Sequence, residues 1–582
     1  MPPISPIGHS RSGSQLTVIQ THGTLVSTLV IFVVAILACS PMIFFGASAG
    51  HSVVNNTIWL KHFSEQLSQG DIYPRWLMNI NRGEGSPAFY YYAPLPFYII
   101  SIPALVFPTG SPQLQLAWGE ILLLGSSGVT FFLYARKRFG VPASLLASIA
   151  YMLLPYHFET DLWLRQDLGE LAGYVWMPLI LLYTDALIAG SNTAAAGLSA
   201  AYCLLITSHL PSALLFTICL SAYALTQIAF QTWTKTILRL GCALAGGILL
   251  SGIYLGPALF SQQYVHLDAI WIPRNDFHGW FLPATAWATA HDHYPFVNRL
   301  FVGDSLTIVV FAMAWFSVLY HATARGVRIF IGALSMLSVA TFLMSPASAI
   351  VWEHAPLLWK VQFPWRLSLV LDLSAAIAVL WAADRTFSER SRGSLFSLVL
   401  VASVLWWCTE TANFKSTLTP YLEPDSAKEL ESEIRSDLEL PEYATRWAPE
   451  NIDELIDHVA PRDRLTLKGD LGRVTVTRWR PRRIEFYAQL SEPNQVAVHQ
   501  FYFPNWSARD DAGNSLPTSA DPSTGLLVIQ LPAGHYHVNL TLAALPAEEI
   551  GWLVTLLAAG IMLLLRFGLT LRGPRLFMRN IA

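Results

Sequence analysis

Runs of roughly twenty consecutive apolar residues recur along this chain. No other feature constrains the fold as much, because that length matches the hydrocarbon core of a bilayer. Backbone amides in hydrocarbon must be satisfied within their own segment, so each run is expected as a helix. The runs fall at about 24–46, 113–134, 142–156, 168–187, 193–208, 211–230, 237–259, 302–320, 329–345, 366–383, 393–409 and 549–566. Composition agrees: of 582 residues, 53% are apolar and 13% charged, about half the charge of a soluble protein of this size. The expected fold class is a polytopic α-helical membrane protein with about 12 transmembrane helices.

The net charge of -3 gives no basic footprint for nucleic acid, so the lipid bilayer is the first expected partner. The five cysteines (Cys39, Cys203, Cys219, Cys242 and Cys408) lie apart in apolar runs, offering neither a metal spacing nor a disulfide framework. The first run lacks a basic start and a small-residue cleavage site, so it reads as a retained helix.

The stretch 92–108, "YAPLPFYIISIPALVFP", is apolar but carries Pro94, Pro96, Pro103 and Pro108. Proline removes backbone donors and breaks a lone helix in hydrocarbon, so this stretch is expected in the interface. With it excluded, basic residues gather on one side: Arg136, Lys137 and Arg138; Lys235 and Arg239; Arg325 and Arg328; Arg385, Arg390 and Arg392; then Arg566, Arg572, Arg575 and Arg579. The positive-inside rule then places both termini in the cytoplasm. Outside lie 47–112, 157–167, 260–301, 346–365 and a segment at 410–546. Alternating runs in that last segment ("RVTVTRW", "RRIEFYAQL", "QVAVHQFYF", "GLLVIQL", "HYHVNLTL") predict an antiparallel β-sandwich. The expected division is a membrane module over 1–409 with its first outer loop at 47–112. An extracytoplasmic β domain follows over 410–546, then a last transmembrane helix and basic tail over 547–582.

The polar and charged residues of interest collect on the outer side. They are His51, Asp71, Arg75, Arg82 and Glu84; His157, Glu159, Asp161, Arg165, Asp167 and Glu170; His209; Arg274, Asp276 and His278; His291, Asp292 and His293; and Lys360, Gln362 and Arg366. Glu170 and Arg366 open membrane runs, where a single charge simply snorkels to water but a convergence of charges needs another reason. Carboxylates and arginines at membrane level suit a lipid-phosphate substrate: arginine holds phosphate, and a carboxylate takes a proton from an acceptor hydroxyl. No glycine-rich nucleotide fingerprint is present. "HDH" at 291–293 reads as a solvated loop, so no metal site is assigned and the cofactor stays unknown, a divalent cation being left open. Asp372 lies inside a run, paired with a polar neighbour or coupled to ions.

Three blocks, "GDIYPRW…GEGSPAFYYYAPLPFY" (70–98), "LWLRQDLGELAGYVWMPLIL" (162–181) and "QFPWR" (362–366), resemble the bacterial 6-pyruvoyl-tetrahydropterin synthase-related integral membrane proteins. Through that group the chain resembles the GT-C glycosyltransferase superfamily. The resemblance implies a GT-C-like module in the bacterial inner membrane, with a base soon after the first span and a second acidic site after the third. Asp161 and Glu159 match the second position. At the first, relatives often read His-Asp where this chain has His51-Ser52, leaving Asp71 as the next candidate beyond Glu65.

The expected catalytic residues are Asp71, Asp161 and Glu170. His51, Arg75, His157, Arg165, His209, Gln362 and Arg366 are expected to bind substrate. The implied reaction moves a sugar from a polyprenyl-phosphate donor to a glycan or protein acceptor outside the cytoplasm. The alternatives are a transporter or lipid-linked glycan flippase, and a non-catalytic envelope assembly or glycan-binding protein.

Overall fold

A computed structural model describes residues 11–45, 50–270, 276–283, 294–319, 324–388, 424–438, 440–449, 463–469 and 472–566. The expected run 393–409 and the residues Arg274, His291, Asp292 and His293 lie outside the described residues.

Nine helices among the described residues are long and apolar enough to cross a membrane: Pro112–Arg136, Val141–Arg165, Leu168–Ile188, Leu210–Gln227, Phe230–Leu250, Phe296–Trp315, Val327–Met344, Pro364–Asp384 and Pro546–Leu564. Three shorter apolar helices, Gly23–Ala38, Leu95–Val106 and Ala194–Ser208, accompany them. Leu29 and Val33 near one end of the chain, and Leu556 and Leu557 near the other, stay exposed. Apolar side chains in such rows are stable against lipid and not against water. The chain is therefore a multi-pass membrane protein.

The helix in the proline-rich stretch, Leu95–Val106, has 12 residues. At 1.5 Å per residue it is about 18 Å long, well short of the roughly 30 Å hydrocarbon core. The expected run 237–259 is not one helix but two, Trp233–Leu250 and Gly252–Phe260, joined at Ser251. Gly252 there meets Gly551 of the last helix so closely that a Cβ on Gly551 would lie 2.4 Å from the Gly252 carbonyl oxygen. Backbones approach this far only at small residues.

Residues 157–165, expected as loop, are helical. After Pro155 the chain resumes in wide π-type turns over Tyr156–Arg165. Proline cannot donate into the α ladder, and π turns of this kind recur at functional sites. The helix Leu168–Ile188 then runs to the opposite end of the bundle. There Arg138 Nη2 meets Asp185 Oδ2 at 2.7 Å, and the Gly140 amide donates to Asp384 Oδ1 at 3.1 Å. The two ends of the bundle thus carry separate sets of charges.

The C-terminal β region holds two antiparallel sheets, ordered β1-β4-β8-β7 and β2-β3-β9-β5-β6. Its strands are β1 (Leu465–Leu467), β2 (Gly472–Arg480), β3 (Arg483–Leu490), β4 (Asn494–Phe501), β5 (Trp506–Arg509), β6 (Ser515–Leu516), β7 (Thr518–Ala520), β8 (Leu526–Leu531) and β9 (Gly534–Leu542). The period-two pattern works as sequence predicts: Ile484, Phe486, Ala488 and Leu490 of β3 are buried, while Tyr487 and Gln489 between them face out. Val496 and Val498 of β4 and Val538 and Leu540 of β9 join the same core.

The segment before the helix Leu95–Val106 docks on these sheets. Trp76 Nε1 donates to Gln500 Oε1 at 2.7 Å, Gln500 Nε2 donates to the Met78 carbonyl at 3.0 Å, and the Phe501 amide donates to the Glu84 carbonyl at 2.6 Å.

Candidate functional site

The π-type turns end at Gln166, whose backbone is left-handed at φ 55°. That single reversal lets Arg165 close one helix and Asp167 open the next. Asp167 caps Leu168–Ile188, its carboxylate accepting from the Glu170 amide at 3.1 Å. A carboxylate there satisfies an orphan amide and complements the helix dipole. Arg165 sits four residues after Asp161, the spacing that brings side chains together on one helical face.

These placements create a charge cluster. Arg165 Nη1 lies 2.6 Å from Asp161 Oδ1 and 3.1 Å from Glu170 Oε2, and Arg165 Nη2 lies 2.5 Å from Asp167 Oδ2. Tyr156 donates its hydroxyl to Glu170 Oε2 at 2.7 Å and accepts from Arg165 Nη1 at 3.1 Å. From the "QFPWR" block, Arg366 Nε stands 2.9 Å from Glu170 Oε1, an ion-pair distance without hydrogen-bond alignment. Arg366 Nη2 reaches to 4.0 Å from Asp167 Oδ2, and Nη1 donates to the Val361 carbonyl at 3.2 Å. Trp365 underlies the Arg165 guanidinium at 4.6 Å.

Asp161 and Glu170 are almost wholly buried, and Asp161 Oδ2 has no hydrogen-bond partner. With every group ionised, three carboxylates face two guanidiniums, leaving one negative charge in excess. Burying charges in this way is favourable only where pairing is close.

His209 joins Ala194–Ser208 to Leu210–Gln227 and caps the second, with its Nδ1 2.7 Å from Ser212 Oγ. It approaches the cluster because Gly169 lacks a side chain: a Cβ there would lie 2.9 Å from His209 Cδ2. Burial pushes the His209 imidazole down to about 4, against the pull of Asp167. Burial also works to raise Asp167, but Arg165, His209 and Arg366 outweigh it and hold that carboxyl well below its ordinary range. Ligand atoms of Asp167, Glu170 and His209 all lie within 4.8 Å of one another, a set able to hold a metal ion.

The expected residues divide into those that meet here and those that do not. Asp161, Glu170, Arg165, His209 and Arg366 meet. His51 reaches the margin through its backbone, its amide donating to the Leu164 carbonyl at 2.9 Å while the Ser52 amide donates to that of Arg165 at 3.0 Å. Gln362 precedes the "FPWR" turn in a left-handed conformation at φ 69°.

His157 turns into the bundle. Its amide donates to Asp372 Oδ2 at 2.9 Å, its Nδ1 lies 2.9 Å from the Tyr151 carbonyl, and its ring stacks on Tyr174 at 3.6 Å. Glu159 pairs with Arg299 instead.

Arg75 and Asp71 belong to a different network. Arg75 Nη1 bonds Glu548 Oε2 at 2.9 Å, and Nη2 donates to the Ile253 carbonyl at 2.7 Å. Arg482 Nη2 meets Glu548 Oε1 at 3.2 Å and donates to the Tyr90 hydroxyl at 3.1 Å, while the Leu545 amide donates to Glu548 Oε1 at 2.9 Å. Asp71 accepts from Gln66 Nε2 at 3.1 Å. Burial raises its carboxyl, with Arg482 and Arg75 opposing.

Asp167, Tyr156 and Trp365 were not among the expected site residues. The Asp-x-x-Glu spacing at a helix start signals Asp167, as in a capping box. No comparable local signal exists for Tyr156. No protein-family model matches the chain, and no curated protein matches it.

Proposed function

We propose that the chain is a membrane glycosyltransferase-like enzyme of GT-C type, with the Asp161 cluster as its reaction centre. The observation that carries this reading is the excess acid: Asp161 keeps one buried oxygen without a hydrogen-bond partner beside the Arg165 guanidinium, while Arg366 pairs with the neighbouring Glu170. A general base needs a carboxylate with a lone pair directed at the substrate proton. Asp161 takes the proton of an acceptor hydroxyl, the acceptor oxygen displaces phosphate at the anomeric carbon, and the polyprenyl phosphate leaves. Arg165 and Arg366 steady that phosphate, exchanging carboxylate partners for phosphate oxygens, two of which can accept from one planar guanidinium just as a carboxylate's pair does.

The second and third blocks that resemble the 6-pyruvoyl-tetrahydropterin synthase-related group supply Arg165, Asp167, Glu170 and Arg366 of the cluster, with Asp161 one residue before the second block, which supports that kinship. On this reading the cluster faces the extracytoplasmic side of a bacterial inner membrane, with the β region beside it as a sandwich.

The test is transfer from a radiolabelled polyprenyl-phosphate sugar in proteoliposomes. Wild type consumes donor and Asp161→Asn does not; a wild-type protein inert toward a panel of such donors refutes the proposal. A transport reading draws on Asp372 and Asp304. Both are buried within membrane helices and bonded to neutral hydroxyls, Thr307 at 3.4 Å and Ser368 at 2.8 Å. That reading predicts sugar-lipid or ion flux lost with Asp372→Asn while the Asp161 variant still transports.

A further inference from the structure

Outward-facing residues of the larger sheet line a cleft of about 400 Å³, within the usual size range of small-ligand sites. Three cross-strand neighbours set it: Tyr487 opposite His537, Gln489 opposite His535, and Gln489 opposite Arg473. Asp511, from the turn between β5 and β6, closes one side. Tyr487 is 55% exposed, so a ligand can reach its ring. The His537 ring backs it at 4.5 Å, and Asp511 Oδ1 fixes that ring through Nδ1 at 2.6 Å. An aromatic surface is therefore held in place by a charged group that is itself 68% exposed.

We propose that this cleft binds a neutral pyranose unit of a glycan. The fixed charges are one guanidinium, Arg473, and one carboxylate, Asp511, so the cleft carries no net field to select phosphate. A pyranose offers C–H groups to an aromatic ring and hydroxyls to planar amide, guanidinium and carboxylate groups, which is the mixture present here. The site does not depend on the transferase reading: it shares no residue with the Asp161 cluster.

The experiment titrates full-length protein in lipid nanodiscs with neutral gluco-, galacto- and manno-oligosaccharides and, separately, with inorganic phosphate. Saturation-transfer NMR reads the binding. At least one oligosaccharide binds, Tyr487→Ala weakens it tenfold or more, and Gln489→Ala weakens it severalfold. Both residues face away from the core, and a thermal melt checks that each variant folds. Three results overturn the proposal: no sugar in the panel binds, binding survives both substitutions, or phosphate binds in preference. Loss of glycosyl transfer with sugar binding intact would sink the transferase reading and leave this one standing, and the reverse result would do the opposite.

Discussion

Two buried arginine networks occupy this protein, and they are built on opposite arithmetic. Around Glu548, two guanidiniums converge on one carboxylate, and both of its oxygens are engaged. Around Arg165, three carboxylates converge on two guanidiniums, and one acid oxygen is left over. The first arrangement clamps three parts of the chain together: the segment before Leu95–Val106 through Arg75, the β2–β3 turn through Arg482, and the membrane helix Pro546–Leu564 through Glu548. The second joins helix ends on one face of the bundle and retains an acid that structure alone does not require. A saturated carboxylate argues for architecture; a surplus one argues for chemistry.

That contrast breaks most sharply at Asp161. If the surplus acid is the base, Asp161→Asn lowers transfer by about 10²–10⁴-fold and leaves the melting temperature nearly unchanged, because Arg165 keeps Asp167 and Glu170. A large drop in melting temperature with transfer retained would make the two networks alike. Glu548→Ala should do the reverse. It strands two guanidiniums, one of them wholly buried, and costs about 3–5 kcal/mol of stability, read as a lowered unfolding midpoint in detergent.

Gly169→Ala sharpens the comparison at the cluster's margin. The added Cβ forces the helix away from His209 and the Ser208 carbonyl, an overpacking penalty of about 1–3 kcal/mol, with transfer falling in step.

The smallest effect is a pH slope. Unfolded His209 binds a proton near 6.5, whereas the folded imidazole does so only near 4. Acidification therefore favours the unfolded chain across that window, and stability is lost as pH falls from 6.5 toward 4. After screening by solvent the loss is about 1 kcal/mol between pH 7 and pH 5. Asp167 adds little above about pH 5: its carboxyl is depressed only in the folded state, so its contribution is lost as pH falls through the ordinary aspartate range, where the unfolded carboxyl takes up a proton first. Thermal melts of wild type and His209→Gln check the slope, which should flatten in the variant.

Much of this was legible in the residues themselves. Length and apolarity located the spanning helices that could be described, and alternation located β2, β3, β4, β8 and β9, where each run is long enough to show a period. The two-residue β6 and three-residue β1 and β7 are too short to show one. Charges at helix mouths marked Glu170 and Arg366, because such groups need partners near lipid, whereas Asp161 and Arg165 were marked by a resemblance of motifs. That resemblance marked Arg75 too, yet could not say which partner it had, since Glu548 stands 473 residues away and nothing local encodes it. Nor could hydropathy reveal that Pro155 is followed by π-type turns. That change of helical pitch helps turn Asp161 and Arg165 toward Glu170.

The separation between Arg75 and Glu548 also bears on how the protein is made. Arg75 leaves the ribosome 473 residues ahead of its counter-ion; at about 5–20 residues per second the wait is roughly half a minute to a minute and a half. Throughout that interval the cation lacks the carboxylate that bonds it in the folded protein, so the loop that bears it cannot settle into its final, dry position. A chain that stops short never acquires the missing charge, and the unfinished loop would stand out as a handle for quality-control proteolysis.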